Sequence, residues 1–228
     1  MDTHQVSGKL SVRRECRRAG RGQSMVEFAL ILPLLLLLIF GSIEIGRLLQ
    51  AWVAVTNSAR FGARYAVTGE YNLGYCADAG AALSLAADDA YNGDPVDCKV
   101  PYGVSDYEDK TADLQDWARL PSIRDAARAG AAGLLINDLA PSDETGYFHV
   151  SICSSRTGFL WSKPTCTPSD DAGGPGDRVI IYVTFNHPVL TPYITSLWNT
   201  GGKPYLPLHG SREMVVEQFR KVRVIGLP

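Results

Sequence analysis

The hydropathy pattern is dominated by an uncharged apolar run over residues 28–43, which Glu44 interrupts. The run is slightly shorter than the roughly 20 residues that a helix needs to span a bilayer. Glu44 and Arg47 stand one helical turn apart and can pair, and apolar residues resume beyond them. The pattern therefore predicts a transmembrane helix over residues 23–47, with Trp52 as an anchor at the interface.

The three- and four-residue spacing continues beyond this segment and predicts that the same helix extends as an amphipathic stretch over residues 48–69. Arg60 and Arg64 share one face, and Gly69 is the expected stop. The face expected to be buried consists of Leu49, Trp52, Val53, Thr56, Ala59, Ala63, Ala66 and Val67.

Charge is distributed unevenly between the two sides of the apolar run. Residues 1–22 contain six Lys/Arg and two acidic residues, Asp2 and Glu15, so their formal charge is +4. Because the net charge of the whole chain is −2, the remaining residues carry −6. The positive-inside rule places a basic flank in the cytoplasm and sends the C-terminus outward. We interpret residues 1–22 as a targeting leader, separate from the fold. A mildly acidic remainder argues against nucleic-acid binding, which requires a basic face.

Glu27 is a carboxylate at the mouth of the apolar run. A charge at the centre of a membrane helix costs roughly 2.5–3.5 kcal/mol on insertion scales, and less near the edge. An acid retained at such a position is a candidate functional residue.

The basic leader, Gly22 and Glu27 together resemble the processing site of type IV pilins and pseudopilins, and most of all that of the TadE-like pilins of tight-adherence (Tad) systems. In those proteins a prepilin peptidase cuts after the glycine, and the glutamate is the fifth residue of the mature chain. Further matching stretches are residues 28–33, 46–47 and 57–65, with a looser similarity over 183–188 and 211–214.

The resemblance implies cleavage between Gly22 and Gln23 and an assembly role for Glu27. After cleavage, Glu27 would lie beside the amino terminus of a neighbouring subunit. The implied protein is a minor pilin or pseudopilin in the cytoplasmic membrane or in an extracellular pilus. Its implied partners are the membrane, other pilins, the Tad assembly platform and the prepilin peptidase, with no small-molecule substrate and no cofactor.

The pattern of residues 70–228 predicts an extracytoplasmic, pilin-like α+β domain of short helices and an antiparallel sheet. Helices are predicted over residues 79–90 and 122–139, with Ser122 as the N-cap of the second. Period-two alternation predicts strands over residues 147–152, 178–186 and 214–225. Residues 169–177 predict a turn, and loops are expected at Pro188, Pro192, Pro204 and Pro207.

Four of the five cysteines follow the membrane segment, on the side where disulfides persist, whereas Cys16 belongs to the reducing side. Four cysteines allow three connectivities. We favour Cys76–Cys98 and Cys153–Cys166, because each closes a short loop rich in turn residues.

The sequence lacks a pattern typical of a metal centre or a catalytic site. It contains no Cys-x-x-Cys, Gly-x-Ser-x-Gly, P-loop or His-Glu-x-x-His motif. His187 is interpreted as a surface or capping histidine. An acidic cluster without the spacing of an EF-hand is interpreted as a solvated loop, with calcium binding as the alternative; it contains Asp106, Glu108, Asp109, Asp113 and Asp116.

Two other functions are compatible with the same pattern. The first 46 residues could serve only as an export signal for a secreted or signal-anchored enzyme or binding domain. The chain could also be a single-pass sensor or adhesin that keeps its leader. Neither an Ala-x-Ala-like cleavage site nor a lipobox cysteine follows the apolar run. The sequence therefore predicts a structural subunit and no enzyme.

Overall fold

The computed structural model describes residues 20–83, 98–100, 107–157, 166, 170–190 and 203–217. The chain divides into two compact units, Met1–Ile43 and Glu44–Pro228. These are called unit 1 and unit 2 below.

Helix α1 extends from Gly20 to Thr68 and includes Pro33. It ends where Gly69 adopts a φ of +67°, a left-handed conformation that glycine tolerates better than other residues. The predicted continuation of the helix and its stop are both confirmed. One helix among the described residues, Ser24–Thr68, is long and apolar enough to cross a membrane.

The buried face of α1 in unit 2 is formed by small side chains, among them Ala51, Val55, Ala59, Ala63 and Ala66. The prediction was right for Ala59, Ala63, Ala66 and Val67. It was wrong for three larger residues, which are about half exposed: Leu49 at 57%, Trp52 at 53% and Val53 at 50%. The small face is buried because the backbone of a neighbouring strand approaches closely, and larger side chains would prevent that approach.

In the part of the chain that the structure describes, the sheet has three antiparallel strands in the order β1-β2-β3. Strand β1 covers Phe148–Ser154, β2 covers Arg178–Pro188 and β3 covers Tyr205–Val215. The first two predicted strands are confirmed to within two residues at each end. Alternate residues of β2 face the core, which contains Val179, Ile181, Val183 and Phe185.

The third strand was predicted wrongly, over residues 214–225. Strand β3 ends at Val215, and Pro207, which was assigned to a loop, pairs with Asn186 inside it. Proline lacks an N–H for the ladder and is therefore confined to edge strands and bulges. Among the described strands β3 is such an edge. Residues 218–225 of the predicted strand lie outside the described part of the chain.

Two further α-helices are found among the described residues of unit 2. Helix α2 covers Cys76–Ala82, so it begins three residues before the predicted start at residue 79, and residues 84–90 lie outside the described part. Helix α3 covers Tyr107–Gly130, which corrects the predicted helix over residues 122–139.

Ser122 lies inside α3 and is no N-cap. Its hydroxyl donates to the Ala118 carbonyl at 2.8 Å and accepts the Asn72 N–H at 2.9 Å. The helix begins earlier because Glu108 and Asp109 occupy its first turn, where carboxylates stabilise the positive end of the helix dipole.

The acidic cluster is helical, which corrects its interpretation as a loop. Glu108, Asp109, Asp113 and Asp116 lie on α3, whereas Asp106 is outside the described residues. No group of three or more His, Cys, Asp or Glu side chains converges on a metal-sized site within the described residues.

Two disulfides cross-link unit 2, Cys76–Cys98 and Cys153–Cys166. They close loops of 22 and 13 residues. In the chain-entropy model a loop of this size stabilises the fold by about 3 kcal/mol. Cys76 and Cys98 also belong to a small second core with Leu114 and Ala118 of α3.

The close approach of β3 to α1 generates a prediction about Gly210. A Cβ at this position would lie 2.9 Å from the Val55 carbonyl oxygen and 3.0 Å from Val55 Cγ1. Because a backbone group cannot yield as a side chain can, Gly210→Ala should lower the free energy of unfolding by about 1–3 kcal/mol. Thermal unfolding of the full chain in detergent measures this.

The neighbouring exposed residue provides the control. Ser211→Ala should change the free energy of unfolding by no more than about 0.5 kcal/mol. Equal effects of the two substitutions would contradict the close approach of strand and helix.

Candidate functional site

Unit 1 presents an apolar helix surface. None of residues 24–43 is buried, and the exposed side chains include Met25, Phe28, Leu30, Leu34, Leu37, Leu38 and Phe40. Soluble monomers rarely expose contiguous apolar patches of more than a few hundred Å². Twenty residues of helix rise about 30 Å, the thickness of the hydrocarbon core of a bilayer. This surface is therefore suited to lipid or to another apolar helix.

Gly22 and Gln23 lie in the first turns of α1, which begins at Gly20. Glycine is about 1 kcal/mol less favourable than alanine in a helix, so Gly20 and Gly22 weaken this turn. The helix is therefore locally less stable around the Gly22–Gln23 peptide bond, which the sequence predicts as a cleavage site.

Glu27 is exposed on α1 between Val26 and Phe28, which are exposed as well. Ile31 and Leu34 follow it on the same helix face, at spacings of four and seven residues. Within the described residues no hydrogen bond or ion pair to Glu27 is found. A carboxylate in this apolar setting is costly unless a positive group from outside the chain approaches it.

The second acidic residue of α1 is placed differently. Glu44 is 3% exposed, and its Oε2 lies 3.6 Å from Arg47 Nη1. Its Oε1 accepts the backbone N–H of Leu190 at 3.2 Å. The pairing with Arg47 is confirmed. The burial of Glu44 and its contact with Leu190 had no local signal, because Leu190 is distant in sequence.

His187 is 5% exposed, so its interpretation as a surface or capping residue was wrong. Strand β2 continues through Pro188, and His187 shares the core-facing side of the strand with Phe185. Burial lowers the pKa of His187, and Arg47 lowers it further, while Glu44 acts in the opposite direction. Its Nε2 is buried and finds no hydrogen-bond partner in the described part of the chain. Its ring borders a cavity of about 80 Å³.

A network of hydrogen bonds and ion pairs around Arg119 and Arg156 lies at the C-terminal end of α1. Arg119 of α3 is 1% exposed and donates to the carbonyls of Ala66, Ala172 and Gly173, at 2.9, 3.2 and 2.6 Å. It thereby joins α1, α3 and the segment before β2. The sequence gives no sign of this role, since all three acceptors are backbone groups far from Arg119 along the chain.

Arg156 bridges two aspartates on the outside of this network, Asp116 at 2.9 Å and Asp171 at 2.7 Å. Burial alone would raise the pKa of Asp171, but hydrogen bonds from Arg156, Ser154 and the Gly173 N–H outweigh burial, and the pKa lies below its usual value. The arrangement is structural, because each carboxylate is occupied by protein donors.

The buried neutral His187 predicts a specific pH dependence. Its pKa is lowered in the folded protein, so the unfolded chain binds the proton more tightly. The free energy of unfolding should be highest above the ordinary histidine pKa of about 6.5 and should decrease as pH falls below it, towards the folded pKa. Thermal unfolding between pH 7.5 and pH 5 measures this slope.

His187→Gln should reduce the slope in that pH range. The exposed His149 provides the matched substitution, and His149→Gln should leave the slope in place. A slope that survives in His187→Gln would assign the pH dependence to another group.

Comparison with known proteins gives one match. No curated protein matches the chain, and no solved structure matches it. The family model of TadE-like proteins matches residues 22–64. The match starts at Gly22 and includes Glu27, the apolar segment, Arg60 and Arg64. The predicted resemblance is thereby confirmed: residues 22–64 of this chain are a TadE-like sequence.

Proposed function

We propose that this protein is a structural subunit, a minor pilin or pseudopilin, of a Tad-type pilus assembly or secretion machine. The observation that carries the proposal is the TadE-like match, which begins at the residue predicted to precede the cleavage site. The family associates the chain with Tad pilus systems. The finer role as a processed pilin is our inference from Gly22, Glu27 and the exposed apolar surface that follows them.

In this proposal residues 1–22 are a cytoplasmic leader and residues 23–47 anchor the chain in the cytoplasmic membrane. Residues 48–69 continue the helix, and residues 70–228 form the extracytoplasmic domain. The excess of Lys/Arg before the apolar run supports this orientation. Two disulfides in unit 2 support it too, because disulfides persist outside the reducing cytoplasm.

Assembly would depend on Glu27. A prepilin peptidase cuts after Gly22 and creates an amino terminus at Gln23. The ammonium group of a neighbouring subunit then offsets the cost of Glu27 in lipid, where no water replaces a missing partner. An amino-terminal glutamine can cyclise and lose its charge, so retention of the free amine at Gln23 is part of this proposal.

The first prediction of this function concerns processing. Protein purified from membranes of cells that contain the matching peptidase should begin at Gln23. Gly22→Val should block the cut, because a β-branched side chain replaces the hydrogen at the scissile position, and should leave the longer chain. N-terminal sequencing and intact mass measure both.

Ser24→Ala, on the other side of the cut, provides the control and should be processed normally. An amino terminus at Met1 would indicate a sensor or adhesin that keeps its leader. A terminus after residue 46 would indicate a signal-anchored or secreted enzyme or binding domain. Either result would overturn the proposal.

The second prediction concerns Glu27. Glu27→Gln preserves shape and hydrogen bonding but removes the charge, so membrane insertion and cleavage after Gly22 should be largely unchanged. Surface pili and crosslinks to partner pilins should decrease by about tenfold or more, the effect of losing roughly 1.4 kcal/mol at the subunit contact. Quantitative immunoblotting of sheared pili and of crosslinked membranes measures this.

Glu27→Asp provides the matched control, since it keeps the charge, and should retain more assembly than Glu27→Gln. Glu44→Gln tests a different property, because Glu44 is buried against Arg47 and Leu190 inside unit 2. It should act on folding of that unit. If Glu27→Gln cells assembled wild-type amounts of pili, Glu27 would be only a charge at the edge of the membrane and would have no role in assembly.

A further inference from the structure

Unit 2 contains a groove of about 940 Å³ between α2, α3 and the segment that follows Asp170. Its apolar lining, called the floor below, includes Trp117, Leu120 and Pro121. Trp117 is 47% exposed, which is unusual for a large aromatic side chain that could be buried in its own core. A partly exposed tryptophan that lines a groove is typical of an interaction surface.

The charged residues that line the groove give it a net negative charge. Five aspartates and two arginines line it, a formal charge of −3. Arg156 is engaged with Asp116 and Asp171, and Arg124 is engaged with Asp170. Asp78 and Asp113 remain, exposed and without an ion pair in the described part of the chain. The groove therefore offers two carboxylates beside an apolar floor to a cationic partner.

A complementary surface lies on α1 of the same unit. Arg60 and Arg64 are exposed and have no ion pair among the described residues. They are four residues apart, so they share one face and are separated by about 6 Å along the helix. Phe61 beside them is 53% exposed. We name these three residues the arginine face.

The arginine face and the groove are different surfaces of unit 2. The helix turns Val55, Ala59 and Ala66 towards the core, and helical spacing places Arg60 and Arg64 on the opposite side. Helix α3 packs so closely against α1 near Gly62 that a Cβ added to this glycine would lie 3.0 Å from Ala127 Cβ. One chain cannot turn its own arginine face into its own groove without unpacking this core.

We propose that the arginine face of one copy of this chain docks into the groove of a second copy. Arg60 and Arg64 then pair with Asp78 and Asp113, and Phe61 packs on the exposed ring of Trp117. Opposite charges around an aromatic contact fix the orientation of the two chains. The contact is head-to-tail, because each copy contributes a different surface, and such contacts propagate into open helical arrays or close into rings.

This inference rests on the proposed function, since it names a second copy of the chain as a partner of the pilus subunit. It adds the two surfaces that meet. It needs neither cleavage after Gly22 nor the charge of Glu27, so the two proposals can fail separately.

The test is a charge swap in the full chain reconstituted in liposomes. A benzophenone amino acid replaces Trp117, and ultraviolet light crosslinks it to whatever occupies the groove. Mass spectrometry should map the crosslink to residues near Phe61 of a different copy, distinguished by isotope labelling. The double variants Arg60→Glu/Arg64→Glu and Asp78→Lys/Asp113→Lys should each reduce this crosslink by about tenfold or more, because like charges then face each other.

Mixing the two double variants should restore the crosslink, since glutamates of one chain then face lysines of the other, and the unaltered arginines of the second chain face the unaltered aspartates of the first. Restoration also shows that both variants are folded. The matched control Asp143→Lys/Glu217→Lys reverses two exposed carboxylates elsewhere in unit 2 and should leave the crosslink unchanged.

Three outcomes would overturn the proposal. They are a crosslink that is confined to the same chain and independent of protein density, a crosslink only to lipid, and a mixture that fails to restore the contact. The amino terminus of the same protein, purified from cells, is determined in parallel. This measurement distinguishes a failure of the docking proposal from a failure of the processing proposal. A chain that begins at Gln23 but lacks the crosslink rejects this inference alone, and a crosslinked chain that begins at Met1 rejects the proposed function alone.

Discussion

The packing of the small-residue face of α1 against the sheet supports the rest of unit 2. Val55 lies so close to Gly210 of β3 that no side chain fits between them. The same face brings Gly62 against Ala127 of α3 and Ile181 of β2. Close approach over many small residues increases dispersion contacts, each of which is weak but which together are large. Helix, strand and second helix therefore depend on one surface that leaves no room for larger groups.

This choice of face determines what α1 presents to its surroundings. Because small residues are turned inward, Leu49, Trp52 and Val53 remain exposed, and so do Arg60 and Arg64. The apolar exposed side chains of unit 1 belong to the same helix. A helix that exposes large apolar groups along its length has surface left for lipid or for other subunits. The TadE-like match covers this part of the chain.

Buried polar groups hold the two ends of this arrangement. Arg119 uses its guanidinium to satisfy carbonyls of α1 and of the segment before β2, and Glu44 accepts the N–H of Leu190. Burying such groups is costly unless each is hydrogen-bonded, and loss of one partner leaves the other unsatisfied. These contacts therefore specify which segments meet, and they make unit 2 sensitive to substitution at positions remote from any proposed contact with a partner.

Local pattern was sufficient for the features that depend on neighbours along the chain. The apolar run and the three- and four-residue spacing predicted α1. Gly69 marked its end, because the backbone adopts a left-handed conformation there that glycine tolerates well. Alternation predicted β1 and β2, which contribute every second residue to the main core: Val150 and Ile152 of β1, and Val179, Ile181, Val183 and Phe185 of β2. The TadE-like motifs around Gly22 and Glu27 were likewise local.

Tertiary contacts decided the remainder. Strand β3 contains Pro207, which the local pattern assigned to a loop, but an edge position tolerates the proline. It also contains Gly210, and the contact with Val55 requires a glycine there. His187 follows the predicted end of β2 and is buried because the strand continues past it. The buried face of α1 could not be chosen from its own periodicity, which allowed both a stripe of large residues and a stripe of small ones. Only the sheet and α3 select between them, because close backbone approach favours the small side chains, and the arginine face and the groove exist as separate surfaces only after that selection.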